Sequence, residues 1–200
     1  KKENIKCVAI ATSRELNDII MTNLKLDILH LGKISFDDIK LYLHKYTIAT
    51  INSLEDVLTL KQLLKSTEKV RCHIKVDTGM NRMGCSYLDF DKILNEINNT
   101  DNIFLEGVYS HLACSENTSS KHNNFQIDRF KKIINKYKLK KIKFHLINSG
   151  GIFNYPDCHF DFVRSGISIY GISPYEKINK NLKPIMKFVA PIVLVKNLKK

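Results

Sequence analysis

Two hundred residues, 44% hydrophobic and 26% charged, describe an ordinary globular chain, long enough for one full core and part of a second. No window approaches the roughly 18 uninterrupted apolar residues of a membrane helix. The formal charge of +12 raises nucleic acid as a partner. However, five arginines leave lysine as 27 of the 32 basic residues, scattered over the whole length. The densest run, Lys131 to Lys143, follows Phe130 and interleaves with Ile133, Ile134 and Tyr137 at helical spacing, as on a solvated helix face. No stacking-aromatic or recognition-helix pattern accompanies it, so no nucleic-acid partner is expected. Five cysteines, an odd number without paired spacing, fit reduced thiols in a cytoplasm. His111 and Cys114 have the look of half a zinc site, but no second half with ligand spacing follows, and no metal is expected.

Along the chain, strand-like and helix-like patterns alternate. Apolar runs lie at Cys7–Ala11, Leu26–Leu31, Thr47–Ile51, Val70–Val76, Ile103–Ser110, Lys143–Ile147 and Phe162–Tyr170. Between them, Ser13 opens a helix carrying Leu16, Ile19, Ile20 and Leu24, and Ser35 caps a second with Ile39, Leu41 and Leu43. Ser53 opens a third with Leu54, Val57, Leu60 and Leu63; Phe90, Ile93 and Ile97 mark a fourth; Phe125 to Tyr137 forms a fifth. Ser115 to Asn124 reads as an exposed polar loop. Strict βα alternation predicts parallel strands covered by helices, an α/β class. Seven strands against the eight of a (β/α)8 TIM-type barrel, with Ser149-Gly150-Gly151 following the sixth run and Arg164-Ser165-Gly166 interrupting the seventh, predict a barrel missing its first β/α unit. Residues 1–180 are then the partial barrel. Residues 181–200, with the apolar run Phe188–Val195 and no preceding helix, read as the start of a C-terminal β domain. The chain opens on Lys1 without an initiator Met, as a piece of something longer would.

Several strands end abruptly in polar groups, as barrel strands do at an active-site rim. Val70, Cys72, Ile74 and Val76 alternate, then give way to Asp77-Thr78-Gly79-Met80-Asn81-Arg82-Met83-Gly84. An arginine on a glycine-flanked turn, in a chain so sparing of arginine, points to planar multidentate hydrogen bonding; a surface arginine is the plain alternative for Arg82. Lys75 is out of phase with the apolar residues and so faces the other side of the sheet. The strand Gly107-Val108-Tyr109-Ser110 delivers His111 to the same rim, where a structural histidine is the plainer reading. Asn148-Ser149-Gly150-Gly151 opens a helix with small residues, either as an anion site or as an N-cap with a tight turn. Arg164-Ser165-Gly166-Ile167 interrupts the last apolar run.

Three of these strings together resemble the alanine racemase family. His73-Ile74-Lys75-Val76-Asp77-Thr78-Gly79-Met80-Asn81-Arg82-Met83-Gly84 matches the HxKVDTGMxRxG signature almost letter for letter. His145 to Gly151 resembles the H-x-x-NS-x-x element. Val163-Arg164-Ser165-Gly166-Ile167-Ser168-Ile169-Tyr170-Gly171 resembles VRPGIxLYG, with serine in place of proline at 165. The resemblance implies pyridoxal 5'-phosphate as cofactor and L-alanine to D-alanine racemisation for peptidoglycan, with a small amino acid (alanine or serine) as substrate and a homodimer completing each site. It implies that Arg164 bonds the pyridine nitrogen, that His111 packs against the ring, and that Gly166 and Ile167 present backbone donors to phosphate. Asn148 and Ser149 add amide and hydroxyl donors. Arg82 supports catalysis, and Lys75 sits close to it, carbamylated in some members. The Schiff-base lysine is expected upstream of Lys1 and the catalytic tyrosine beyond Lys200, so that the chain alone is expected to be inactive. Asn154-Tyr155-Pro156 and the cysteine near the histidine, Cys114, also resemble the membrane-anchored serine/alanine racemases of glycopeptide resistance. The remaining alternatives are a non-catalytic pyridoxal-phosphate barrel or degenerate remnant, and a basic amino-acid decarboxylase, against which Arg164 speaks.

Overall fold

The computed structural model describes residues 5–137, 141–174 and 182–197. The chain runs β1 (Cys7–Ile10), α1 (Ser13–Met21), β2 (Asp27–His30), α2 (Ile39–Tyr42), β3 (Thr47–Ile51), α3 (Leu54–Leu63) and β4 (Val70–Asp77). It continues through β5 (Cys85–Ser86), α4 (Phe90–Asn98), β6 (Ile103–Tyr109), α5 (Lys121–Tyr137), β7 (Lys143–His145) and α6 (Ser149–Asn154). The strands lie in the order β1-β2-β3-β4-β6-β7, every pair parallel, and the two-residue β5 pairs with β4. This is the curved parallel sheet of a partial (β/α) barrel, with helices on its outer face.

Local chemistry explains where the helices begin. Thr12 and Glu15 close a capping box ahead of α1, one residue before the predicted Ser13 start. Ser53 and Asp56 do the same for α3. In α2 the prediction overreaches: the Ser35 hydroxyl is spent on the Asp38 carboxylate at 3.0 Å, and only one helical turn forms. In α5 it falls short, since the helix starts at Lys121 and takes in the end of the expected loop; Ser115 and Asn123 are buried.

β4 sorts its side chains between two environments. Val70, Cys72, Ile74 and Val76 are fully buried in the core under the helices, with Val57, Leu60, Phe90, Ile93 and Phe130. Each aliphatic or aromatic side chain among them contributes about 1.5–3 kcal/mol by leaving water. Arg71, His73 and Lys75 alternate with them and project inward. The register sets their neighbours: His73 lies beside Thr50 and Gly107, and Lys75 beside Tyr109, which in turn pairs with His145.

The seventh expected strand, Phe162–Tyr170, is a correction. One backbone bond leads from this segment toward the β7 region, Arg164 N–H to Ile147 O (2.9 Å), and another from the residue before it, Asp161 N–H to Phe144 O (3.0 Å); then the chain turns into a 3-10 helix at Ile167–Tyr170. A parallel strand is stabilised by ladders to its neighbours, and here no continuous ladder forms. The apolar run Phe188–Val195, expected as a strand, likewise has no regular structure, and Phe188, Ile192 and Val193 are more than four-fifths exposed. The expected boundary at residue 180 falls outside the described residues.

Candidate active site

The turn after β4 is built on Asp77, whose Oδ1 accepts the N–H groups of Gly79 (2.8 Å) and Asn81 (3.1 Å). Gly79 takes φ 138°, a conformation open to glycine and strained for other residues. This loop carries Arg82 to the C-terminal edge of the sheet. There, Lys75, Arg82, His111, Asn148, Ser149, Arg164, Gly166 and Ile167 all line one cavity of ≈ 410 Å³. The eight residues singled out in the sequence, from four separate segments, thus share one site.

Arg164 forms its floor. One terminal nitrogen bonds His145 Nδ1 at 2.5 Å; the other donates to the carbonyls of Ser110 (2.6 Å) and Leu146 (3.1 Å). Its Cζ stands 5.0 Å from the Tyr109 ring centroid. Burial pulls its pKa down to about 10, which leaves it cationic at neutral pH. Lys75 is 5% exposed, its Nζ lies 5.7 Å from the same ring, and no carboxylate pairs with it among the described residues. Burial first, then Arg82 and Arg164, push its pKa down to about 8; Asp77 opposes the shift.

Asn148 organises the wall opposite. As the N-cap of α6 its Oδ1 accepts from Gly151 N–H (3.1 Å) and from the Ser115 hydroxyl (2.6 Å). Its amide nitrogen therefore donates, to His111 Nε2 at 3.2 Å and to Leu112 O at 3.3 Å. Burial, reinforced by Arg164, Arg82 and Lys75, drives His111 down to about 3, so it is a neutral imidazole at pH 7. Ser149 Oγ accepts the backbone N–H of Gly166 (2.8 Å) and approaches that of Ser168 (3.4 Å). The Ser168 hydroxyl is buried without a partner among the described residues.

Sequence reasoning passed over Tyr109, Ser115 and Glu116, which also line the cavity. Tyr109 was findable: Gly107, Tyr109 and His111 alternate along one face of the strand. The Tyr109 hydroxyl meets Thr50 Oγ1 at 3.0 Å, and burial raises its pKa to about 12. Cys114 engages Ser120 and Asn123, and among the described residues no three His, Cys, Asp or Glu side chains gather as a metal site. No helix of the described residues is long and apolar enough to cross a membrane.

Residues 1–174 match the family described as "Alanine racemase, N-terminal domain". The alanine racemase of Treponema denticola is 39% identical over 144 residues, 68% of this chain and 38% of the relative. That of Clostridium difficile 630 superposes with a TM-score of 0.84 at 28% identity, over 92% of this chain and 50% of the other; the same enzyme in complex with cycloserine gives 0.80. The Bartonella henselae enzyme, with covalently bound pyridoxal phosphate, scores 0.80 at 27% identity, over 92% of this chain and 53% of its own. The chain thus spans about half the length or less of the relatives it matches. Its sheet, its rim of basic and small residues and these matches agree on one conclusion: the chain belongs to the alanine racemase family.

Proposed function

We propose that this chain supplies the cofactor-holding part of a pyridoxal-phosphate-dependent alanine racemase. The observation that carries the reading is the convergence of Lys75, Arg82, His111, Ser149 and Arg164 on one cavity. The residues fit such a cofactor. Two backbone N–H groups, Gly166 and Ser168, converge on the single oxygen of Ser149, and the buried Ser168 hydroxyl lacks a partner among the described residues. That is a donor set suited to phosphate oxygens. Gly166, Ile167, Ser149 and Asn148 would hold the phosphate end, and His111 would pack against the ring.

Bound pyridoxal phosphate supplies an electron sink for charge at the carbon beside an amino group. Arg164 would donate a hydrogen bond to the ring nitrogen while keeping its own proton. A sink weakened in this way suits reversible racemisation better than decarboxylation. Arg82 at the rim would orient the substrate end of the site. A pKa of about 8 makes the neutral amine of Lys75 accessible, and in that form it would take up CO2 as a carbamate with release of a proton, placing a negative charge beside Arg82. The substrate is alanine, with serine as the alternative, and D-alanine for peptidoglycan is the product. A homodimer in the cytoplasm completes each site.

The test compares this 200-residue chain with a protein spanning the full length of its relatives. The longer protein should show cofactor absorbance and form D-alanine from L-alanine, and Arg164→Leu should abolish both. The short chain should racemise nothing. Racemisation by the short chain would overturn the reading; cofactor binding without racemisation by the long one would favour a non-catalytic barrel.

A further inference from the structure

His73 and His145 line no part of the cavity, yet a chain of hydrogen bonds ties them to it. His73 Nδ1 meets His145 Nε2 at 3.0 Å, and His145 Nδ1 meets the Arg164 guanidinium at 2.5 Å. Arginine N–H groups donate only, so His145 Nδ1 accepts and its proton sits on Nε2. That N–H donates to His73 Nδ1, which leaves the His73 proton on Nε2. One donor at the end of the chain thus dictates both tautomers.

The surroundings hold this arrangement in place. The His145 ring is stacked between Tyr109 (4.8 Å, 9°) and Phe162 (4.1 Å, 24°). The His73 ring lies against the backbone of Gly107, where an added Cβ would come within 2.6 to 2.7 Å of three of its atoms. Facing His73 are Arg71, Asp27, His145 and Arg164; facing His145 are Arg164 and His73. Burial and the nearby arginines drive His73 down to about 3 and His145 in the same direction, so neither imidazole adds charge beside Arg164 at neutral pH.

We propose that His73 and His145 are positioning residues: a neutral, single-tautomer relay that fixes the Arg164 guanidinium from beneath the cavity, with Gly107 kept small to admit the His73 ring. The inference rests on the role given to Arg164 above, and it concerns how that group is aimed.

Nitrogen-15 histidine spectra of the full-length protein, with cofactor removed, read the relay directly. Both rings should be neutral with the proton on Nε2 from pH 5 to pH 8; a charged ring or an Nδ1–H form in either would overturn the proposal. Pyridoxal phosphate affinity, followed by absorbance, gives the second reading. His145→Gln retains an acceptor for Arg164 and should stay close to the parent. His145→Phe keeps the stacking but leaves a buried guanidinium N–H unpaired, and should lose about 10- to 100-fold. Equal effects of the two variants would mean packing alone and sink the idea. Should His145→Phe fail to fold, Gly107→Ala, which displaces His73 without touching the cavity, should release His73 to mixed tautomers while His145, still bonded to Arg164, keeps its proton on Nε2; an unchanged His73 signal would count against the relay. If the parent protein binds no pyridoxal phosphate, the functional reading falls while the spectra still decide the relay.

Discussion

The two faces of β4 are made from the same eight residues and obey different physics. Outward, four aliphatic or thiol side chains are fully buried, each surrounded by helix residues and needing nothing but volume. Inward, Arg71, His73 and Lys75 need partners, and each finds a different kind. Arg71 meets two carboxylates, His73 another imidazole, Lys75 an aromatic ring. One face therefore carries the stability and the other the chemistry. A substitution should reveal which by the quantity it changes.

The largest effect on folding belongs to the outer face. Ile74→Ala removes a fully buried side chain from the centre of the core, and the rigid sheet behind it limits collapse into the void. Unfolding in denaturant should show a loss of about 2–5 kcal/mol. Cofactor affinity of the folded fraction should hardly change, because Ile74 faces away from the cavity and does not line it. A loss below about 1 kcal/mol would mean that the outer face is less tightly filled than the burial implies.

How much of this was legible follows from the same division. Six strands could be read because aliphatic alternation is a local signal, and the rim strings were short and contiguous. The segment 162–170 was misread for a complementary reason. Ile167 and Ile169 have strand-like spacing, but a strand also requires ladder partners, which alternation does not supply; both residues stand about half exposed. The same holds for Phe188 to Val195. The His73–His145 contact spans 72 positions and depends on the register of β6 between β4 and β7, including its shift at Cys72/His73. No local pattern encodes that register. Tyr109 did carry a local signal, the alternation that puts it on the face of His111, but a buried tyrosine on a strand fits ordinary core equally well until its neighbours are known.

Lys75 tests the inner face through pH. Its folded pKa of about 8 lies below the ordinary 10.5, so the folded state holds the charged form at a cost. That cost is fully present below pH 8. Between about pH 8 and 10.5 the unfolded chain binds a proton that the folded one has lost, and stability rises through this window. Lys75→Met should remove the rise and add up to about 3 kcal/mol at pH 7 in CO2-free buffer. Added bicarbonate should stabilise the parent protein and leave the variant unmoved, and the parent should gain the mass of one CO2. A parent curve flat from pH 8 to 10.5 would show that Lys75 is not desolvated as its burial suggests.

At the N-terminal end of the sheet the inner face meets water, and its charges should matter least. Arg71 joins β4 to Glu106 on β6 through a two-point contact (2.6 and 2.8 Å) and to Asp27 on β2 at 2.7 Å. Both carboxylates draw its pKa further up, but the three side chains remain 27–36% exposed. Solvent screening then reduces each pair to a fraction of its Coulomb energy. Glu106→Gln keeps the shape and a hydrogen-bond acceptor while removing one charge, so about 1 kcal/mol or less should be lost. That loss should shrink further near 1 M salt, where the screening length falls to about 3 Å. A larger, salt-insensitive loss would place this cluster with Arg164 in the dry interior and erase the gradient along the inner face from wet ion pairs to desolvated cations.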